Sequence, residues 1–342
     1  MIDFTNCKRT KQMYNGANGN KIGIEYQGER YMLKFPAYAK LNPEMSYTNG
    51  CVSEYLACHI FNQLGIPAQE TLLGQYAVAP GKFKQVVACK DFTDPAHGII
   101  LQDFASLKNT VIDSIRNGYG TDLDSILESI ERQSFMDPTT LSSHFWDMFV
   151  IDEFIGNPDR HNGNWGFLYD AERDEISFAP IYDCGSSLLP QADELSIHKM
   201  LISTSEMNIR IYERPSSAIS LNGKRINYNA FNELHLVEYP EYARALERIV
   251  PKIHMDMIHS ILSQTPGLSD LHKQFYQNFL YARKEILLSN TLERAYSLGM
   301  LVQNTHPKTL DDQIRLASTH NFIKDKNTVR DPLRTRNLNE ER

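Results

Sequence analysis

GNPDRHNGN, residues 156–164, joins two dissimilar neighbours: the apolar run Leu141–Ile155 before it and the alternating run Trp165–Tyr169 after it. The first carries Phe145, Met148, Phe149, Ile151 and Phe154 at helical spacing. The second reads as one arm of a hairpin whose other arm is Ile176–Tyr182, with Asp170–Glu175 as the polar turn. A polar stretch with two glycines at a helix-to-strand junction is a turn or a site. Asp159 has the chemistry to orient a hydroxyl and take its proton. Asn164, five residues on, offers a neutral oxygen to a hard cation. The ordinary alternative is an Asx-turn closing the helix, a common duty of Asn and Asp.

The far arm of the hairpin ends in Pro180-Ile181-Tyr182-Asp183-Cys184-Gly185-Ser186-Ser187. An Asp closing an apolar strand, followed by small residues, leaves room for a cation and phosphates. Magnesium prefers oxygen and takes only one or two protein carboxylates beside a nucleotide. Asp183 and Asn164 meet that need, and the hairpin brings their ends together. Taken alone, Asp183 also fits a simple turn.

Upstream, residues 14–92 read as strand-rich with one helix. Ile22, Ile24 and Tyr26 alternate with polar neighbours, Gln27-Gly28 turns the chain, and Tyr31, Leu33 and Phe35 alternate back. Cys51–Leu64 has helical spacing and stops at Gly65 and Pro67, while Leu72–Ala79 and Gln85–Phe92 flank Pro80-Gly81 as two more strands. A small, mainly antiparallel lobe with one main helix is the simplest assembly, an α+β class. Before its first strand stands Asn15-Gly16-Ala17-Asn18-Gly19-Asn20-Lys21, which lacks the G-x-x-x-x-G-K-[ST] pattern of a P-loop. Its backbone N–H groups suit phosphate oxygens, and so would an ordinary turn. Lys34 lies in the returning strand and Glu54 in the helix, at the edge of the apolar face. Singly, each feature has a plain structural explanation. In order, they follow the parts of a phosphoryl-transfer site: glycine loop, strand Lys, helix Glu, Asp with Asn five on, strand-end Asp.

From about residue 100 the pattern reads as helical: Ile112–Ile115, Leu123–Ile130, Leu141–Ile155, Tyr242–Ile249, Met255–Leu262 and Leu271–Leu288. The stretch 306–342 is polar without a sustained apolar face and reads as a weakly ordered tail. Of the 342 residues 42% are hydrophobic and 23% charged, enough for a sizeable core. The net charge of −7 argues against direct nucleic-acid binding, which needs a basic surplus. Five cysteines without a C-x-x-C pair suit a reducing compartment, so a cytoplasmic location is expected. MIDFTNCKRTKQ lacks the apolar run of a signal peptide, which leaves export by a signal-less route open. No membrane span is expected.

The stretches GANGNKI (16–22), YMLKFP (31–36), MSYTNGCVSEYLACHIF (45–61), VVACKDF (86–92), FIGNPDRHNGNWGFLYD (154–170) and PIYDCGSSLLPQADE (180–194) resemble the HipA-like kinases, most closely their shorter, cell-translocating members. The resemblance runs from about Tyr14 to about Leu288. It implies a divergent, bilobal protein-kinase fold, with residues 1–92 as the nucleotide-clasping lobe and 93–305 as the helical catalytic lobe. It implies Mg-ATP as the phosphoryl donor and a protein serine or threonine as acceptor. Asp159 is then the catalytic base, and Asn164 and Asp183 are the magnesium ligands. Lys34 becomes the ATP lysine and Glu54 its partner. Gly16, Asn18, Gly19 and Lys21 lie against phosphate, while Ala88 and Lys90 fall in a hinge of about Ala88–Phe92 whose backbone groups meet adenine. His161 is assigned a structural role, and Arg160 serves either to neutralise charge or as a structural ion pair.

Two departures stand out. Longer members of the family begin with a further subdomain for which this chain has too few residues ahead of its glycine loop. They also carry a phosphorylatable Ser near that loop, and Met13–Asn20 holds neither Ser nor Thr. Self-phosphorylation is therefore expected in the stretch holding Ser186, Ser187, Ser196, Ser203, Thr204 and Ser205. The alternatives are a kinase acting on a small molecule or lipid, and a non-catalytic ATP-binding module serving a regulatory protein partner. A nuclease built on Asp159-Arg160-His161 fits the acidic charge poorly.

Overall fold

Alternation in the first ninety residues builds a sheet with two buried faces. The computed structural model describes residues 1–14, 21–38, 46–111 and 117–302, and residues 1–301 make up one compact unit. Among the described residues the strands are β1 (Ile2–Asp3), β2 (Lys8–Arg9), β3 (Lys21–Tyr26), β4 (Glu29–Lys34), β5 (Thr71–Ala79) and β6 (Lys82–Lys90). They line up as β1-β5-β6-β4-β3-β2. Every pairing is antiparallel except that of β1 with β5, an edge strand the sequence reading did not place.

Register decides which side chain faces where. Leu33 lies opposite Ala88, and Lys34 opposite Val87. With a side-chain period of two, Leu33, Val86 and Ala88 go to one face and join Phe4, Ile24 and Tyr31. Val87 and Cys89 go to the other face and pack with α1 (Gly50–Gln63). That helix buries Cys51, Val52, Leu56, Ala57, Cys58, Ile60 and Phe61.

The next elements are β7 (Ile99–Asp103), α2 (Phe104–Val111), α3 (Leu123–Arg132), α4 (Pro138–Ile155), β8 (Gly166–Asp170) and β9 (Glu175–Phe178). β7 corrects the expectation of helix from residue 100: Ile99–Asp103 pairs antiparallel with β8 from Asp170 back to Gly166. Five residues rich in β-branched and apolar side chains take the open edge of a hairpin that local periodicity does not see. The expected segment Ile112–Ile115 falls outside the described residues, as does the tail from 303.

The rest comprises α5 (Glu194–Ile202), α6 (Thr204–Asn208), the short pair β10 (Ser220–Leu221) and β11 (Lys224–Arg225), α7 (Tyr228–Leu234), α8 (Pro240–Ile249), α9 (Met255–Gln264), α10 (Asp270–Ala282) and α11 (Asn290–Ser297). The run Leu271–Leu288, read as one helix, is α10 continued by π-helical turns over Arg283–Ser289. No described helix is long and apolar enough to cross a membrane.

α4 is the pillar of this part. Asp137 caps it by accepting from the Thr140 N–H at 2.8 Å, and its last residues from Met148 to Ile155 are all buried. A helix apolar on all sides belongs in the middle of a core. Phe149 meets Tyr228, Phe231 and Tyr242 with ring centroids 5.4, 5.6 and 5.7 Å away. Phe149→Ala is expected to lower the unfolding free energy by about 3–5 kcal/mol in urea titrations. Phe83→Ala, at a half-exposed position of β6, should stay within about 0.5 kcal/mol. Equal losses at the two positions would mean that α4 is not the centre of the core.

Candidate functional site

Gly156 ends α4 in the left-handed region at φ +64°, where an added Cβ would press on Pro215 and Phe279 at 3.1–3.2 Å. The Asx-turn expected as the ordinary alternative is present, but Asn157 makes it. The Asn157 amide donates to Asp152 Oδ1 at 2.8 Å, and its Oδ1 accepts the Asp159 N–H at 3.0 Å. The Asp159 carboxylate is thereby left for the cavity.

Arg160 turns inward. Its Nε donates to Asp152 Oδ2 at 2.9 Å, and its two terminal nitrogens reach the Asn164 and Tyr182 carbonyls at 2.7 Å, Asp152 Oδ1 at 3.2 Å and Cys184 Sγ at 3.2 Å. Both ion-pair side chains are about as buried as a side chain can be, 1% and 2% exposed. Burial pushes the Asp152 carboxyl up, and Arg160 pulls it back. Of the two roles open to Arg160, the structural ion pair is the one it fills. Asp152 itself was missed; its only signal in the sequence is a carboxylate inside an otherwise apolar helix end.

Asn164 donates from Nδ2 to the Asp159 carbonyl at 2.8 Å, which leaves Oδ1 as its free oxygen face. His161 accepts the Gly163 N–H on Nδ1 at 3.1 Å, a contact that shapes the loop.

Across the cavity, Lys34 Nζ donates to Glu54 Oε2 and to Asp183 Oδ1, each at 3.0 Å. Glu54 also accepts the Cys184 N–H on Oε1 at 3.1 Å, so α1 holds the residue after Asp183 as well as the lysine. Gly185 is needed for this approach: a Cβ there would sit 3.1 Å from Glu54 Oε2 and 3.3 Å from the Gly50 carbonyl. Asp183 takes φ +56°, a conformation Asp tolerates better than most residues. Burial alone would push the Lys34 ammonium down, but Asp183 and Glu54 outweigh it and hold it well above its ordinary value. In return Lys34 holds the Asp183 carboxyl down to about 2.

One cavity of about 720 Å³ gathers Lys21, Lys34, Glu54, Asp159, Asn164 and Asp183 on its wall. Lys21 stands opposite Lys34 in the β3–β4 ladder. Gly16, Asn18 and Gly19 lie outside the described residues. Ala88 and Lys90 are not brought to the cavity. By parity they face the other side of β6, where Ala88 packs with Leu33 and Lys90 pairs with Glu29 and Glu70. The cavity wall at that end is Met32, Val87, Asp91, Phe92 and Thr93, so of the expected hinge only its last residues reach it. The donor set fits magnesium: one amide oxygen and one carboxylate that is 43% exposed at the side chain, with no nitrogen or sulfur ligand between them.

The HipA-like C-terminal domain model matches residues 10–261. The serine/threonine-protein kinase CtkA of Helicobacter pylori strain J99 is 46% identical over 323 residues, covering 94% of this chain and 97% of that protein. The crystal structure of a Helicobacter pylori proinflammatory kinase CtkA superposes with a TM-score of 0.79 at 46% identity, covering 87% of this chain and 99% of that one. The chain belongs to the HipA-like kinase family.

Lys34 controls the titration of Asp183. A folded-state pKa near 2, below the ordinary carboxyl value of about 4, stabilises the fold above pH 4, and that stabilisation is lost as pH falls toward 2. In Lys34→Met the Asp183 midpoint should rise to about 4 or above. Carboxyl carbon-13 titration by NMR reads it directly, and a midpoint still near 2 would remove Lys34 as the cause.

Proposed function

We propose that this chain is a protein kinase that moves the γ-phosphoryl group of ATP onto serine and threonine hydroxyls of proteins. The observation that carries the reading is the Lys34 ammonium held between Glu54 and Asp183 on the cavity that also receives Asp159 and Asn164. Such a reaction asks little covalent work of the protein; it rests on positioning and on neutralising charge. Lys34 steadies the α- and β-phosphates from the sheet side. Asp159 orients the acceptor hydroxyl and takes its proton. Asn164 and Asp183 are the residues that would hold magnesium, which supplies neutralisation of phosphate charge when bound. Residues 1–92 act as the nucleotide-clasping lobe, with adenine against Met32, Val87 and the Asp91–Thr93 segment, and the helical part presents the base and the metal donors.

The protein acceptor is supported by the 46% identical relative, itself a serine/threonine-protein kinase. Transfer of labelled phosphate from Mg-ATP to dephosphorylated casein should fall by about 10²–10⁴-fold in Asp159→Asn. In Asp183→Asn the loss should be about 10²-fold or more. A further check is the melting temperature of Asp159→Asn, which should match the parent, because among the described residues the Asp159 carboxylate has one, long, protein partner. Undiminished transfer by Asp159→Asn, or label appearing only in a small metabolite, would overturn this reading.

A further inference from the structure

We propose that Ser186 is the chain's own phosphate acceptor, modified in cis by the site it lines; this rests on the kinase reading above. Ser186 Oγ donates to Asp159 Oδ2 at 3.3 Å, three residues after the metal-site Asp183. The residue is 7% exposed, and its exposure opens onto the cavity. An acceptor hydroxyl must lie within hydrogen-bond reach of the base that takes its proton, and Ser186 already does.

The other hydroxyls of the segment are placed elsewhere. Ser187 is fully buried, its Oγ has no partner, and it does not line the cavity. Ser196 is exposed in the first turn of α5, Ser203 caps α6 through its Oγ, and Thr204 and Ser205 are exposed on α6. Among the described residues the other aliphatic hydroxyl on the cavity wall is Thr93, which donates to Asp91 at 2.7 Å.

In the step itself Asp159 takes the Oγ proton as the Oγ–Pγ bond forms. The bond from Pγ to the β-phosphate bridging oxygen breaks, ADP leaves with that electron pair, and the proton passes to solvent. The product is a dianion between Asp159 and Asp183, a like-charge contact that drives the phosphoserine away from the base. The site therefore places one phosphate per chain on this residue, and any other acceptor must displace Ser186 from Asp159.

The test is peptide mapping of the full chain after Mg-ATP, beside Ser186→Ala, Ser186→Thr and Ser196→Ala, with casein phosphorylation run in parallel. Wild type should carry one phosphate on Ser186, formed at a rate per chain that does not change across about a hundredfold range of protein concentration. Ser186→Ala should lose that phosphate about tenfold or more, Ser186→Thr should carry it on the new hydroxyl, and Ser196→Ala should match wild type. Phosphate only elsewhere, or a rate that rises in proportion to concentration, overturns the inference. If casein is labelled while Ser186 stays bare, the inference alone falls. If neither casein nor the chain is labelled, the kinase reading falls and takes this one with it.

Discussion

The Arg160–Asp152 ion pair is the contact on which the site's geometry depends. Burying a guanidinium and a carboxylate together is costly, and it holds only when the geometry is good and the remaining donors find partners. Here each terminal nitrogen of Arg160 is engaged, and the Phe61 ring of α1 lies 5.7 Å from the guanidinium carbon. Two of those partners are the backbone carbonyls of Asn164 and Tyr182. One is a residue proposed to hold magnesium, and the other immediately precedes Asp183. A single rigid, planar group thus sets the separation of the two strand ends that carry the oxygen donors, and Asp152 ties that group to the end of α4.

A second charged contact works under different conditions. Lys34 and Glu54 are nearly sealed from solvent, whereas the Asp183 side chain is 43% exposed. The buried pair fixes α1 against the sheet, and the Cys184 N–H on Glu54 extends that hold to the turn after Asp183. The exposed carboxylate keeps a face toward the cavity and stays ionised because Lys34 is beside it. Rigid charges therefore set the backbone, and an accessible charge remains on the cavity wall. Their difference in exposure makes that division, with Lys34 belonging to both.

Much of this was legible in the sequence because it is local. Helical spacing marked α1 and α4, alternation marked the β3–β4 and β8–β9 hairpins, and Lys34, Glu54, Asp159, Asn164 and Asp183 stood out by residue type and order. What failed depends on partners distant in the chain. Ala88 and Lys90 were expected to offer backbone groups to adenine, whereas the described cavity takes Val87 from β6, because parity and the register against β4 turn its side chain inward. β7 forms because β8 has an edge to fill, and β1 because Phe4 finds the cluster on the outer face of the sheet. Asp152 sits eight residues from Arg160, and nothing in a single sequence says that a helix carboxylate and a loop guanidinium will be sealed together.

The duties of the loop are divided so that its key carboxylate remains weakly held. Turn formation falls to Asn157, backbone anchoring to Arg160, and the amide of Asn164 is fixed on the Asp159 carbonyl rather than on its side chain. Among the described residues the one protein donor to the Asp159 carboxylate is Ser186, at 3.3 Å, a slightly longer contact than the 2.7–3.2 Å bonds that hold the rest of the loop. A carboxylate in the role proposed for Asp159, taking a proton and then releasing it, would be poorly served by strong fixed partners, since each would have to be broken in the reaction. The surrounding hydrogen bonds hold the backbone that carries Asp159 and leave its carboxylate loosely held, which is the property the proposed acceptor site would need.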